Sequence, residues 1–268
     1  MAIRKASLPN EFLYDVFALI VAVIIVHALY VTSIRPQANV LLAHQAEQMR
    51  TNPDYVPERS LYIILKDYEQ ESCFILMLWA LAIMAYKGWM TRRERALLAT
   101  DLIHVPEGMR ILPEDTREYA RQVEAMPPDE RRMLLPRAVL SGLSRFGATR
   151  NVQDVSDAVR GVCQSEAERL DSELSMVRYI AWAIPAIGFI GTVRGIGDAL
   201  AQAHRAVTGD IAGVTEGLGV AFNSTLIALL ISIVLMFLLH QLQLTQERLV
   251  LEIETYLDQH LIRHMQAR

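Results

Sequence analysis

Tyr179-Ile-Ala-Trp-Ala-Ile-Pro-Ala-Ile-Gly-Phe-Ile-Gly-Thr-Val-Arg-Gly-Ile-Gly-Asp198 is apolar over most of its length and turns polar toward its end, at Thr192, Arg194 and Asp198. After a short polar turn a second apolar run follows, over about residues 213–239, and it carries Glu216, Asn223, Ser224, Thr225 and Ser232. Lipid has no water to satisfy polar groups, so residues of this kind inside apolar runs face a bundle interior or an ion path. The two runs read as a membrane hairpin that conducts ions.

The rest of the chain agrees with a membrane protein. Of its 268 residues 52% are apolar and 21% charged, and the mean hydropathy is +0.23. The charge is segregated between long apolar stretches. Four of these, at about 12–34, 73–89, 179–200 and 213–240, approach the roughly 20 helical residues that cross a bilayer. The second is short and needs little tilt or flanking anchors. The expected fold is an all-α membrane protein with four transmembrane helices and a helical cytoplasmic domain. The third and fourth spans continue as long helices into the cytoplasm.

Orientation follows from Lys and Arg beside the spans. Arg4 and Lys5 precede the first, while Lys87, Arg92, Arg93 and Arg95 follow the second. Arg169 and Arg178 precede the third, and Arg248 follows the fourth. Near the spans the opposite side is poorer, with Arg35 and Lys66 in one loop and Arg205 in the other. Both termini are therefore expected in the cytoplasm. The chain divides into an N-terminal segment with the first helix (1–34), a periplasmic loop (35–71) and the second helix (72–90). A cytoplasmic helical domain (91–178), the channel hairpin (179–240) and a cytoplasmic C-terminal helix (241–268) complete it. The first apolar run is longer than a secretory signal core and lacks a clean cleavage site, so it reads as an uncleaved span.

Pro36, Pro53 and Pro57 punctuate the expected loop, and between them Val40, Leu41, Leu42, Ala46 and Met49 mark one amphipathic helix. In the cytoplasmic segment, Pro106, Pro113, Pro127, Pro128 and Pro136 separate short helices. From Asp154 onward Val155, Val159, Val162, Leu170, Leu174 and Val177 recur mostly at three- and four-residue steps. That spacing predicts one continuous helix that becomes the third span. The mixed Arg and Glu of the segment read as a solvated surface ahead of a partner-docking site.

Gly217, Ala221, Thr225, Ala228 and Ser232 lie three or four apart, on one stripe of the fourth span. Gly188, Thr192, Gly195 and Ala199 form a matching stripe on the third. Small-xxx-small spacing alone favours ordinary helix packing. Two threonines, an arginine, a glutamate and an asparagine in one hairpin shift the reading toward a permeation path. Gly188, Thr192, Ala221, Thr225, Ala228 and Ser232 are the candidate path-lining residues. One hairpin would bury only one side of the stripe, so further copies should enclose the rest in closed symmetry. Arg194, Asp198 and Glu216 are candidate outer-mouth or ion-pair residues. Arg194 and Asp198 are one turn apart and suited to pair, and a snorkelling arginine is the blander alternative. Asn223 shares the face of Glu216. His27 reads as a histidine against a packed helix ahead of a proton relay.

The sequence has no phosphate loop, metalloprotease helix, Cys-x-x-Cys pair or nucleophile elbow. An enzyme, a cofactor and a metal site are not expected. Cys73 and Cys163 are not expected to pair. With a net charge of −4 and no basic face, nucleic acid is not an expected partner.

Pro185-Ala-Ile-Gly-Phe-Ile-Gly-Thr-Val-Arg-Gly-Ile196 resembles the run entering the channel helix of the MotA/TolQ/ExbB proton channel family, and Thr225-Leu-Ile-Ala-Leu-Leu-Ile-Ser-Ile233 is similar to its second motif. The resemblance covers roughly residues 151–243; over the first half only the layout is similar. It implies that Thr192 and Thr225 line an ion path. Aligning Glu216 with an acidic residue of some members would instead put Ala221 at the threonine position; the small-residue spacing favours Thr225. The resemblance further implies a homopentamer in the bacterial inner membrane, embedded in lipid. Its partner would be a single-span protein (ExbD/TolR/MotB-like) that brings an essential aspartate. Proton or sodium flow would then drive motion of one ring against the other. The rival reading is a non-conducting membrane scaffold.

Overall fold

A computed structural model describes residues 10–52, 55, 60–100, 102, 103, 105, 106 and 109–266. Arg4, Lys5, Pro53 and Pro57 lie outside them. In chain order the helices are α1 (Asn10–Leu29), α2 (Arg35–Thr51), α3 (Leu61–Leu65), α4 (Tyr68–Leu97), α5 (Thr116–Glu124), α6 (Pro128–Arg131), α7 (Leu134–Thr149), α8 (Val152–Glu173), α9 (Ser175–Ala201), α10 (Ala203–Val207) and α11 (Ala212–His260). Among the described residues no strand forms; an isolated bridge joins Ile111 to Met265. Four helical stretches, Phe12–Met49, Tyr68–Leu97, Val152–Ala201 and Ala212–His264, are long and apolar enough to cross a membrane. The fold is that of an all-α membrane protein. Two compact units divide it: Met1–Ala85 with Met176–Leu239, and Tyr86–Ser175 with His240–Arg268.

In the first unit, α1 does not end where its apolar run ends. Pro36 offers no N–H to the Thr32 carbonyl and its ring crowds that carbonyl, which breaks an ordinary helix. A π turn over Tyr30–Ile34, closed by the Arg35 N–H on the Tyr30 carbonyl, widens the helix just before the proline. The chain therefore runs on as α2 to Thr51, where the sequence suggested a loop from residue 35. The α1 helix packs on α4: the Tyr14 hydroxyl donates to the Ala82 carbonyl at 3.1 Å, and Trp79 Nε1 to the Asp15 carbonyl at 2.9 Å. Val26, Tyr30 and Ile34 bury against Leu65, Phe74, Ile75 and Leu78. The α4 helix extends past both ends of the expected second span.

The second unit is a helical core. Leu134, Leu135, Val139, Leu143 and Phe146 of α7 pack with Val155 and Val159 of α8 and with Leu249, Ile253, Leu257 and Leu261. Pro136 sits in the first turn of α7, where a missing N–H costs nothing. Arg150 closes α7 in the left-handed region, φ 54°, and Asn151 caps α8 by accepting the Gln153 N–H at 2.9 Å. The apolar face read from the sequence is buried at Val155, Val159 and Leu174. The expected unbroken helix is interrupted once. The Leu174 N–H closes on the Asp171 carbonyl at 3.2 Å, a three-residue step that tightens the last turn of α8 before α9 restarts at Ser175. Glu166 is buried and paired with both Arg137 (3.3 Å) and Arg169, as a buried carboxylate must be. Glu173 takes Arg169 at 2.6 Å and Lys87 at 2.7 Å.

Candidate functional site: the seam between α9 and α11

The seam lies within the first unit and starts from a proline. Pro185 inside α9 has no N–H for the Ala181 carbonyl four residues back. That carbonyl, which lipid could not satisfy, accepts the Ser232 hydroxyl of α11 at 3.2 Å. Two turns further along α9, the Gly188 carbonyl accepts the Thr225 hydroxyl at 3.0 Å and lies 3.3 Å from the Thr192 hydroxyl. The single Thr192 proton has two further acceptors, the Ala221 carbonyl at 3.1 Å and the Thr225 hydroxyl. This approach requires glycine. A Cβ at Gly188 would lie 2.4 Å from the Ala228 Cβ, and one at Gly191 would lie 2.5 Å from the Ser224 Cβ.

The structure thus brings Gly188, Thr192, Ala221, Thr225, Ala228 and Ser232 together. Gly188, Ala221, Ala228 and Ser232 are buried and the two threonines half-buried at the edge of the seam. The stripe on α11 is covered by α9 of the same chain, so its composition does not by itself demand further copies. The outward faces are large and apolar: Phe189, Ile190 and Val193 on α9, Phe222, Leu226 and Ile233 on α11. They suit lipid or another subunit.

Arg194 points to α4. Its Nε donates to Glu69 Oε1 at 2.6 Å and its Nη2 to Glu69 Oε2 at 2.8 Å, a bidentate pair. The sequence-neighbour partner Asp198 is more distant, at 3.6 Å. Glu216 is exposed and pairs with Lys66 at 2.9 Å. Asn223 is half-buried. His27 is not isolated: its Nδ1 is 2.6 Å from Glu71 Oε1, and Arg35 holds the other oxygen of Glu71. Beside these pairs, burial pushes the Asp67 carboxyl above the usual aspartate range, against the pull of Lys66 and Arg194.

Sequence reasoning missed Glu69, Glu71 and Lys66 as partners, and left out of the stripe Ser224, which is fully buried and whose hydroxyl donates to the Val220 carbonyl at 2.8 Å. A signal was present. Asp67, Glu69 and Glu71 head an apolar span, and carboxylates there need cations to hold them. Cys73 and Cys163 are free and buried, and among the described residues no cluster of metal ligands forms.

The fold and the seam define a multi-pass membrane protein whose helix hairpin buries hydroxyls in a glycine-lined contact. Residues 131–255, a little under half of the chain, match the model of the MotA/TolQ/ExbB proton channel family. No curated protein and no solved structure matches the chain. The family is one of proton channels and not of enzymes. The match supports an ion-channel type of function, of the energy-transducing kind, for this chain.

Proposed function

We propose that this chain is the channel-forming subunit of an inner-membrane motor driven by protons, or by sodium, and that it converts ion flow into mechanical motion. It works as a homopentamer around a single-span partner that brings an essential aspartate, with both termini in the cytoplasm. The observation that carries this reading is the Thr192 and Thr225 hydroxyl pair over the Gly188 carbonyl. It sits inside the segment that matches the family. Hydroxyls at the edge of a dry seam can both donate to a carboxylate and accept from a protonated one, so they can stabilise either state of a passing acid. In this reading Ser232, Ala221 and Ala228 shape the wall, and Arg194, Asp198 and Glu216 stand at the outer end, tied into ion pairs.

One observation favours the scaffold reading. Each seam hydroxyl already has a carbonyl partner within the chain, as in plain helix packing. Proton uptake into vesicles holding the chain with its single-span partner separates the two. Channel function requires uptake that depends on both proteins and on the partner's aspartate; a scaffold gives none above that of empty vesicles.

A further inference from the structure

Gly191 is the point where three helices meet. A Cβ there would lie 2.5 Å from the Ser224 Cβ of α11 and 3.1 Å from the Glu69 Cγ of α4. Three residues before it, both threonine hydroxyls lie within hydrogen-bond reach of the Gly188 carbonyl. Three residues after it, Arg194 reaches back to grip Glu69 through two hydrogen bonds. Glu69 is nearly buried, its side chain 11% exposed, while Arg194 is 42% exposed. The carboxylate is therefore the fixed member and the guanidinium the one drawn in. No backbone hydrogen bond can hold two membrane helices in register, since each helix satisfies its own. Side-chain bonds and close packing must do it.

We infer that Glu69 is a positioning residue: through its bidentate pair with Arg194 it clamps α9 onto α4 at Gly191 and so fixes Thr192, the next residue along α9, in its hydroxyl pair with Thr225. Arg194 then serves as the handle of the clamp, outside the ion path. The consequence for transport rests on the channel reading above; the clamp itself does not. Lysine in place of Arg194 keeps the charge but cannot make the planar two-point contact.

The experiment has two readouts on the full-length chain in lipid nanodiscs or vesicles. Amide hydrogen exchange over residues 186–198 needs neither partner nor transport. Glu69→Gln and Arg194→Gln should each speed it about tenfold, with residues 134–163 unchanged. Arg194→Lys should fall between, and Glu69→Arg combined with Arg194→Glu should return exchange toward the parent. Proton uptake with the partner, at matched protein amounts, should fall about three- to tenfold in the single variants and recover in the swap. Unchanged exchange in the single variants overturns the clamp whatever the uptake. Faster exchange with recovery in the swap, but no uptake in the parent protein, leaves the clamp standing and removes the channel reading. If a single variant does not accumulate, recovery of accumulation in the swap supports the pair, and failure of the swap overturns it.

Discussion

Alanine at Gly195 should split the hairpin, and alanine two residues away should not. A Cβ at Gly195 would sit 2.5 Å from both the Ala221 nitrogen and the Gly217 carbonyl oxygen, against 3.4 Å for ordinary contact. Both obstacles are helix backbone, so no side chain can swing aside and α9 and α11 must move apart by about 0.9 Å. Overpacking of this kind costs about 1–3 kcal/mol. Separation also strains the bonds of Thr192 and Thr225 to the Gly188 carbonyl, so the upper half of that range is expected. At Gly197 an added Cβ meets nothing within 4 Å. There alanine should stabilise the helix by about 0.5–1 kcal/mol through lower backbone entropy in the unfolded chain. The two variants should therefore differ by about 2–4 kcal/mol, more than tenfold in the unfolding equilibrium. Reversible unfolding in mixed micelles, followed by tryptophan fluorescence, measures the gap. Equal stability of the two variants would refute the close α9–α11 contact.

Three further outcomes follow from the structure. Ala228→Leu drives a larger side chain toward Gly188, beneath which Ala228 is fully buried, so it should lower the melting temperature of the single chain at a cost of about 1–3 kcal/mol before any partner is lost; unchanged melting would show that Ala228 faces open space instead. Burial raises the folded Asp67 carboxyl, so the folded protein holds that proton more tightly than the unfolded chain does. The contribution of Asp67 is then fully present below the unfolded pKa and lost as pH rises through the folded one. Asp67→Asn should thus raise the melting temperature near about pH 7, with the gain shrinking toward about pH 4; a gain that grows on acidification contradicts this. Finally, in a background free of Cys73 and Cys163, Thr51→Cys should react with an impermeant thiol reagent from outside cells and Asp129→Cys should not; the opposite pattern would invert the proposed orientation.

What the sequence made legible is what periodicity and polarity encode locally. The long apolar runs, the small-residue stripes of α9 and α11 and the apolar face through Val155 and Val159 all follow from residue type at helical spacing. Periodicity shows which residues share a face but not what covers it. The stripe on α11 was expected to meet the matching stripe of α9 on one side and further copies on the other; it is covered by α9, because Gly188, Gly191 and Gly195 let the two backbones meet within one chain. Pairing across long separations was equally hidden: Glu69 and Arg194 are 125 residues apart, and the nearer Asp198 looked the natural partner. The π turn before Pro36 was illegible because proline signals a break, while a widened turn that absorbs it has no residue signature of its own. The step at Leu174 was masked by an apolar face that continues through it.

In the proposed channel, the Thr192 and Thr225 hydroxyls serve ion passage beyond packing. Valine nearly matches threonine in volume, so at these half-buried positions Thr192→Val and Thr225→Val remove hydrogen bonds worth about 0.5–1.5 kcal/mol each without opening a cavity. Proton uptake should be measured in vesicles holding each variant with the single-span partner, at matched amounts and with assembly checked by native mass spectrometry. Intact assembly with uptake reduced about tenfold or more is expected in both variants. Assembly intact and uptake equal to the parent in both would contradict it.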